Sequence, residues 1–478
     1  MASLQLTSKA HTGVTVTPPR RSSARAHTSR SPCRRLGRHA SVCVGASASS
    51  SSSSVSASSS STSSVDTSLN AFVASLKPSK TVALTDLARE LQNDGKDIVS
   101  LTAGEPDFDT PPSVAHAGIQ AIKSGVTHYA PNAGTAALRS AIVRKLQTEN
   151  NLTYAPSEIV VSNGAKQSIW QAVLATCGAG DDVIIPAPYW TSYPEMARLA
   201  GANPVVVETT AADGYKLTPD TLRSVLTPSS RVLILCTPSN PTGAVYSEDE
   251  LRALADVVLS HDRLLVLSDE IYEHVMYAPA THVSFGALSE EAYERTMTVN
   301  GFSKSFAMTG WRMGYIAAPQ HFATACARIQ SQTTSGASSI AQEAAVAALE
   351  LGPRGGKVVE EMVAAFLKRR DYCVRRLSEM PSNRISLDYG IPPGAFYLLP
   401  TISGSFGCKH LPSGEIIKDA DDFCRGLLSQ SDPGGLAVVP GDAFGSADTL
   451  RISYAASDEL LEQAMDRLAR YVSDLGEC

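Results

Sequence analysis

The chain has 478 residues, 43% of them hydrophobic and 18% charged, with a formal net charge of −6. That length exceeds one ordinary domain and can bury a large core, so two domains and an extension are expected. No apolar run is long enough to cross a bilayer, which excludes a helical membrane span and leaves the folded part expected to be soluble.

Residues 1–65 differ from everything after them. Lys9, Arg20, Arg21, Arg25, Arg30, Arg34, Arg35 and Arg38 are eight basic residues, and no Asp or Glu precedes Asp66. Residues 47–64 are almost entirely Ser, Ala and Thr, too polar to offset their ordering entropy by burial. An Arg-rich, Ser-rich, acid-free start reads as an organellar transit peptide. Met1-Ala2-Ser3 and the serine tract favour a plastid, so the expected location is the chloroplast stroma. Setting those eight cations aside leaves 33 basic residues against 47 acidic ones, a net of −14, which argues against a nucleic-acid partner.

Residues 66–111 read as an N-terminal arm and part of a smaller domain. Helices are expected over 68–76 and 83–94, then a strand over 97–102. Ala103-Gly104-Glu105-Pro106 breaks that strand, and Gly104 marks either a turn or a close backbone approach.

Residues 112–351 alternate short β-branched runs with helical runs, the pattern of an α/β domain with a mostly parallel sheet. Strand cores at 159–161, 183–185, 232–235 and 264–267 each run into a polar segment. These segments are Asn163-Gly164-Ala165-Lys166, Pro188-Tyr189-Trp190, Asn240-Pro241-Thr242-Gly243 and Asp269-Glu270-Ile271-Tyr272. A further strand at 296–299 leads to Ser303-Lys304-Ser305, with Gly310-Trp311-Arg312 soon after. In such sheets ligands gather beyond the carboxyl ends of the strands.

Residues 352–478 form a second, smaller region. It has a long helix over 357–379, a strand at 450–453 and a closing helix over 458–475. The cysteines Cys33, Cys43, Cys177, Cys236, Cys326, Cys373, Cys408, Cys424 and Cys478 have no metal-type spacing. They read as reduced thiols, mostly core filler, and no metal is expected.

A lysine at the mouth of an apolar segment loses part of its preference for the ammonium form and can add to an aldehyde. An aldehyde-bearing pyridine phosphate needs that amine, an anion at the ring nitrogen, a donor at the ring oxygen, a phosphate cradle and a flat stacking surface. Lys304, Asp269, Asn240 with Tyr272, the Gly164 turn and Trp190 are the candidates. Each alone is also compatible with an ordinary turn, core or surface residue.

These motifs, with Gly104-Glu105-Pro106-Asp107 and Arg451-Ile452-Ser453, resemble the class I aminotransferases, the pyridoxal-phosphate enzymes of fold type I. The resemblance runs from about residue 76 to the C-terminus. It implies an α/β fold whose large domain (112–351) holds a mostly parallel sheet between helices, beside a smaller α/β domain. It implies pyridoxal 5'-phosphate as cofactor, joined covalently to Lys304, which also moves the substrate proton. Asp269 then keeps the pyridine nitrogen protonated, while Asn240 and Tyr272 partner the ring hydroxyl and Trp190 stacks on the ring. Gly164, Ala165 and Lys166 offer backbone N–H groups to the phosphate at a helix start, Arg312 adds charge, and Ser303 completes the cofactor set. Tyr129 is implied to reach the phosphate of a neighbouring subunit, hence a homodimer with shared sites. Arg451 grips the substrate α-carboxylate, with Gly104, Trp190 and Asn240 beside it.

Within the family, this chain is similar to the bacterial-type aspartate and prephenate aminotransferases and to their plastid counterparts in plants and algae. There a threonine and a lysine, matched here by Thr81 and Lys166, bind a second carboxylate. A site built for a polar group rejects an analogue lacking it by about 10⁴. Aspartate and glutamate are therefore the expected donors, and alanine and leucine poor ones. Oxaloacetate, 2-oxoglutarate and prephenate are the expected acceptors, prephenate giving arogenate on the way to phenylalanine and tyrosine. The competing readings are an aspartate or broad-range aromatic aminotransferase without prephenate activity, and a lyase or synthase of the same fold.

Overall fold

The computed structural model describes residues 66–478 apart from 71, 72, 75, 77 and 78, so the expected transit segment lies outside the described residues. Of the helix expected over 68–76, residues 68–70 are not helical and Val73 and Ala74 are, the rest falling mostly on undescribed positions.

Three sheets organise the unit Ser68–Cys478. β1 (Ile98–Ser100) pairs in parallel with β10 (Gly435–Ala437). β9 (Tyr397–Leu398), β11 (Val439–Pro440) and β12 (Leu450–Ser453) form an antiparallel sheet with β12 in the middle. The large sheet contains β2 (Ile159–Ser162), β3 (Asp182–Ala187), β4 (Asn203–Glu208), β5 (Ser230–Cys236), β6 (Leu265–Asp269), β7 (Thr296–Gly301) and β8 (Gly314–Ala317). Its order is β2-β8-β7-β6-β5-β3-β4. β8 is antiparallel to both neighbours and every other pairing is parallel, so six strands share one direction.

Apart from the edge strand β4, both faces of this sheet are buried, which explains why those strands are continuous apolar runs rather than alternating ones. Val232 and Ile234 of β5 pack into one cluster with Val183 and Ile185 of β3. Leu233 and Leu235 point the opposite way and join Ile184 in another, as the two-residue side-chain period requires.

Local signals set the helix boundaries. Ser247 and Glu250 form a capping box at the start of Glu248–Leu259, and Pro219 occupies the first position of Pro219–Val225. The expected long helix spans Gly356–Ser378, and the closing helix Asp458–Ser473 is capped by Ser457.

One reading is corrected. Cys408 and Cys478 form a disulfide, so the cysteines are not all reduced thiols. The two stand 70 positions apart in sequence, and only the docking of the C-terminal tail, where Gly476 N–H donates to Lys409 O, brings them together. Cys177, Cys326, Cys373 and Cys424 are free and buried, as expected of core filler.

Candidate active site

A cavity of about 470 Å³ opens at the carboxyl edge of the large sheet. Thr81, Gly104, Ala165, Lys166, Trp190, Asn240, Tyr272, Ser303, Lys304, Arg312 and Arg451 all line it, so most of the residues singled out from sequence meet in one place. Asp269 lies just behind, 4% exposed, reached through Tyr193 of the cavity wall. Gly164 backs the wall beside Arg312. Tyr129 is 97% exposed and does not line the cavity.

Lys304 follows β7, as its flanking residues predict. Its amine donates to Gly104 O at 2.5 Å. Loss of hydration pulls that amine down to about 8, opposed chiefly by Glu105. Asp269 ends β6. Burial pushes its carboxyl up to about 6, while Tyr193 Oη donating to Oδ2 at 2.6 Å and Ile271 N–H donating to Oδ1 at 3.3 Å favour the anion.

Arg451 enters from β12 of the other sheet and is 2% exposed. It donates to Asn240 Oδ1 at 3.1 Å and to Thr102 O at 2.7 Å, and its Nε has no partner. A planar fork so held presents its remaining donors to a carboxylate. Among the described residues, none of Lys166, Lys304, Arg312 and Arg451 has a carboxylate oxygen within 4.0 Å. Concentrated cations without protein counter-ions make a site for anions.

The helix Ala165–Thr176 begins at this edge. Gly164 has φ +82° and no side-chain cap, which leaves the first N–H groups of the helix for another acceptor. The Arg312 guanidinium sits where a Cβ on Gly164 would be, so glycine is required there twice over. Arg312 reaches this edge because β8, which it precedes, runs against its neighbours. Lys166 Nζ lies 4.9 Å from the Trp190 ring centroid, and lost hydration there, with Arg312 nearby, lowers its amine.

Sequence reasoning missed two groups of residues. Tyr193 and Tyr397 are buried aromatics whose polar ends touch Asp269 and Tyr272, and nothing in their local sequence separates them from core tyrosines. The second group is a buried network behind the sheet edge. Glu273 accepts from Lys145, from Asn150 at 2.7 Å and from Asn300 at 2.7 Å, while Glu270 accepts from Ser284 at 2.6 Å and Ser268 at 2.8 Å. His282 lies 2.9 Å from Glu270, and His274 lies 2.8 Å from Glu149. The network underpins the backbone that carries Asp269 at one end and Asn300 to Lys304 at the other.

Pyridoxal phosphate fits these residues. Arg312 and a helix start suit the phosphate, a buried carboxyl suits the ring nitrogen, and a low-pKa amine suits the aldehyde.

The family model described as aminotransferase class I and II matches residues 96–468. A bifunctional aspartate aminotransferase and glutamate/aspartate-prephenate aminotransferase of Petunia hybrida is 56% identical over 406 residues, 85% of this chain and 83% of that protein. An aspartate aminotransferase of Pinus pinaster is 54% identical over 407 residues, 85% of this chain and 81% of its own. Among solved structures, the aspartate aminotransferase of Rhizobium meliloti superposes with a TM-score of 0.80 at 40% identity, covering 86% of this chain and all of that one. That of Thermus thermophilus with maleate gives 0.76 at 40% identity, covering 84% and 99%. With the family model matching most of its length and relatives more than half identical over 85% of it, the chain belongs to the class I and II aminotransferases, which use pyridoxal phosphate.

Proposed function

We propose that the enzyme moves the amino group of aspartate or glutamate to 2-oxo acids, including oxaloacetate, 2-oxoglutarate and prephenate, the last giving arogenate for phenylalanine and tyrosine. The observation that carries this reading is the pair Arg451 and Lys166 in one cavity, each without a protein carboxylate partner. Two separated cations suit a substrate with two carboxylates. The names of the Petunia and Rhizobium leguminosarum relatives point the same way, as does maleate in the Thermus structure.

When bound, pyridoxal phosphate supplies an aldehyde for the substrate amine and a cationic ring that accepts the electrons of the Cα–H bond. The residues do the rest. Arg451, oriented by Asn240 and Thr102, holds the α-carboxylate in a fork. Lys166, with Thr81, meets the second carboxylate. Asp269 would hold the proton on the ring nitrogen. Tyr272 and Asn240 would partner the ring oxygen, Trp190 would cover the ring, and Ser303 and Arg312 would hold the phosphate with the N–H groups of 164–166. Lys304, whose amine loses its proton at about 8, moves the proton at Cα.

Tyr129, exposed and away from its own cavity, suits a reach into a second subunit, and we read the enzyme as a homodimer with shared sites. We further assign 112–351 to a large cofactor domain and 352–478, with part of 66–111, to a smaller one. Residues 1–65 are read as a plastid transit segment.

The deciding experiment is an amination assay on protein starting at residue 66, with glutamate as donor to prephenate or oxaloacetate and aspartate as donor to prephenate or 2-oxoglutarate. Arogenate formation with either donor supports the full reading. Turnover with oxaloacetate and 2-oxoglutarate alone reduces it to an aspartate aminotransferase, the description carried by the pine relative.

A further inference from the structure

Tyr397 belongs to none of the sequence motifs. It sits on β9, is fully buried and lines the cavity. Its hydroxyl oxygen is 2.7 Å from that of Tyr272, and the Arg451 guanidinium carbon stands 4.6 Å from its ring centroid. A Cβ on Gly104 would lie 2.6 Å from the same hydroxyl oxygen, so the loop that accepts from Lys304 passes directly over it.

Two phenols that share one contact have two hydrogens between them, and one contact holds only one. Among the described residues the other hydroxyl is the only hydrogen-bond partner of each. The direction of donation therefore decides which hydrogen is left to face a ligand. A cation over a phenol ring makes its O–H the stronger donor; the Arg451 guanidinium lies 4.6 Å from the Tyr397 ring centroid, whereas the Lys304 amine lies 5.9 Å from that of Tyr272, so Tyr397 is favoured as the donor. Burial raises both phenols, Tyr272 well above its ordinary value, and Arg451 is the chief influence opposing that rise at Tyr397.

We propose that Tyr397 is a positioning residue: it donates its hydrogen to the Tyr272 oxygen, so that Tyr272 turns its own hydrogen into the cavity toward the ring oxygen of the cofactor. The inference rests on the proposed role of Tyr272. It makes the residue under the substrate-binding arginine the one that aims the cofactor's hydrogen-bond donor.

The test is a pH titration of the absorbance of bound cofactor in the holoenzyme, with wild type, Tyr397→Phe, Tyr272→Phe and the double variant. A donor to a negatively charged oxygen stabilises its deprotonated form, so losing the donor raises the midpoint. Tyr272→Phe is expected to raise the midpoint, Tyr397→Phe to raise it by less, and the double variant to match Tyr272→Phe alone. Additive shifts overturn the inference, as does a Tyr397→Phe midpoint equal to wild type while that of Tyr272→Phe moves. Colourless Tyr397→Phe protein also overturns it, since orienting a hydrogen leaves cofactor attachment intact. Succinate binding is the packing control: phenylalanine keeps the ring under Arg451, and weaker succinate binding by Tyr397→Phe would mean that the side chain acts by packing instead. If Tyr272→Phe leaves the midpoint unmoved, the reading of Tyr272 as ring-oxygen partner fails, and the role of Tyr397 with it.

Discussion

Tyr193 donates its hydroxyl to Asp269 across 2.6 Å, with both side chains buried. Among the described residues this is the one side-chain donor to a carboxyl that burial has already pushed up to about 6. Tyr193→Phe removes it and makes the anion harder to form. A hydrogen bond to a charged group contributes about 1.5–3 kcal/mol, about 1–2 pH units on that carboxyl, so at pH 7 the cofactor dissociation constant should rise by about two- to fifteenfold. Equilibrium titration of cofactor-free protein reads this. An unchanged constant would remove Asp269 from the cofactor site.

Lys304 makes the cofactor-free protein pH-sensitive in a definite direction. Its amine falls from the usual 10.5 to about 8, so between those values the unfolded chain holds the proton more tightly than the fold. Stability therefore rises with pH across that window, and below it the lysine destabilises the fold in full. Lys304→Met should stabilise cofactor-free protein by about 3 kcal/mol at pH 7. Denaturant melts at a series of pH values should show that gain fading toward the upper end of the window.

Lys166→Ala tests substrate choice. If Lys166 meets the second carboxylate, kcat/KM for aspartate should fall by about 10² or more while that for alanine stays unchanged. Retention of the aspartate rate would end that role.

Gly164→Ala tests the phosphate cradle. The backbone at φ +82°, ψ 159° is open essentially to glycine alone, and forcing another residue there costs about 1–3 kcal/mol. The new Cβ would also press on Arg312. Affinity for pyridoxal phosphate should drop about tenfold or more, while affinity for phosphate-free pyridoxal changes little, both by fluorescence titration.

Glu273→Gln tests the buried network. Burial works against this carboxylate, yet Lys145, His274 and His282 hold it well below the usual range. Its stabilisation is therefore present above the ordinary carboxylate pKa and is lost as pH falls. Removing the charge leaves Lys145 with Glu149 at 3.7 Å as its remaining ion-pair partner. Stability at pH 7 should fall by about 3 kcal/mol, and the difference from wild type should shrink in acid.

Much of this site is readable before folding because each motif sits at the end of its own strand. The apolar runs 232–235 and 264–267 mark strands buried on both faces, and the polar residues soon after each run, Asp269 among them, lie at the carboxyl edge. The helix at Ala165–Thr176 follows its glycine directly, so the proposed phosphate cradle is a local feature too. Such signals need only neighbours along the chain.

Tertiary structure decided what those motifs touch. β8 reverses direction and returns Arg312 to the edge where Gly164 waits, 148 positions earlier in the sequence. Tyr193 finds Asp269 from 76 residues away, Thr102 holds Arg451 across 349, and the disulfide closes across 70. A periodic pattern states which way a side chain faces and when an element stops. It does not state which strand lies beside which, because that choice is made by packing two faces of one sheet at once.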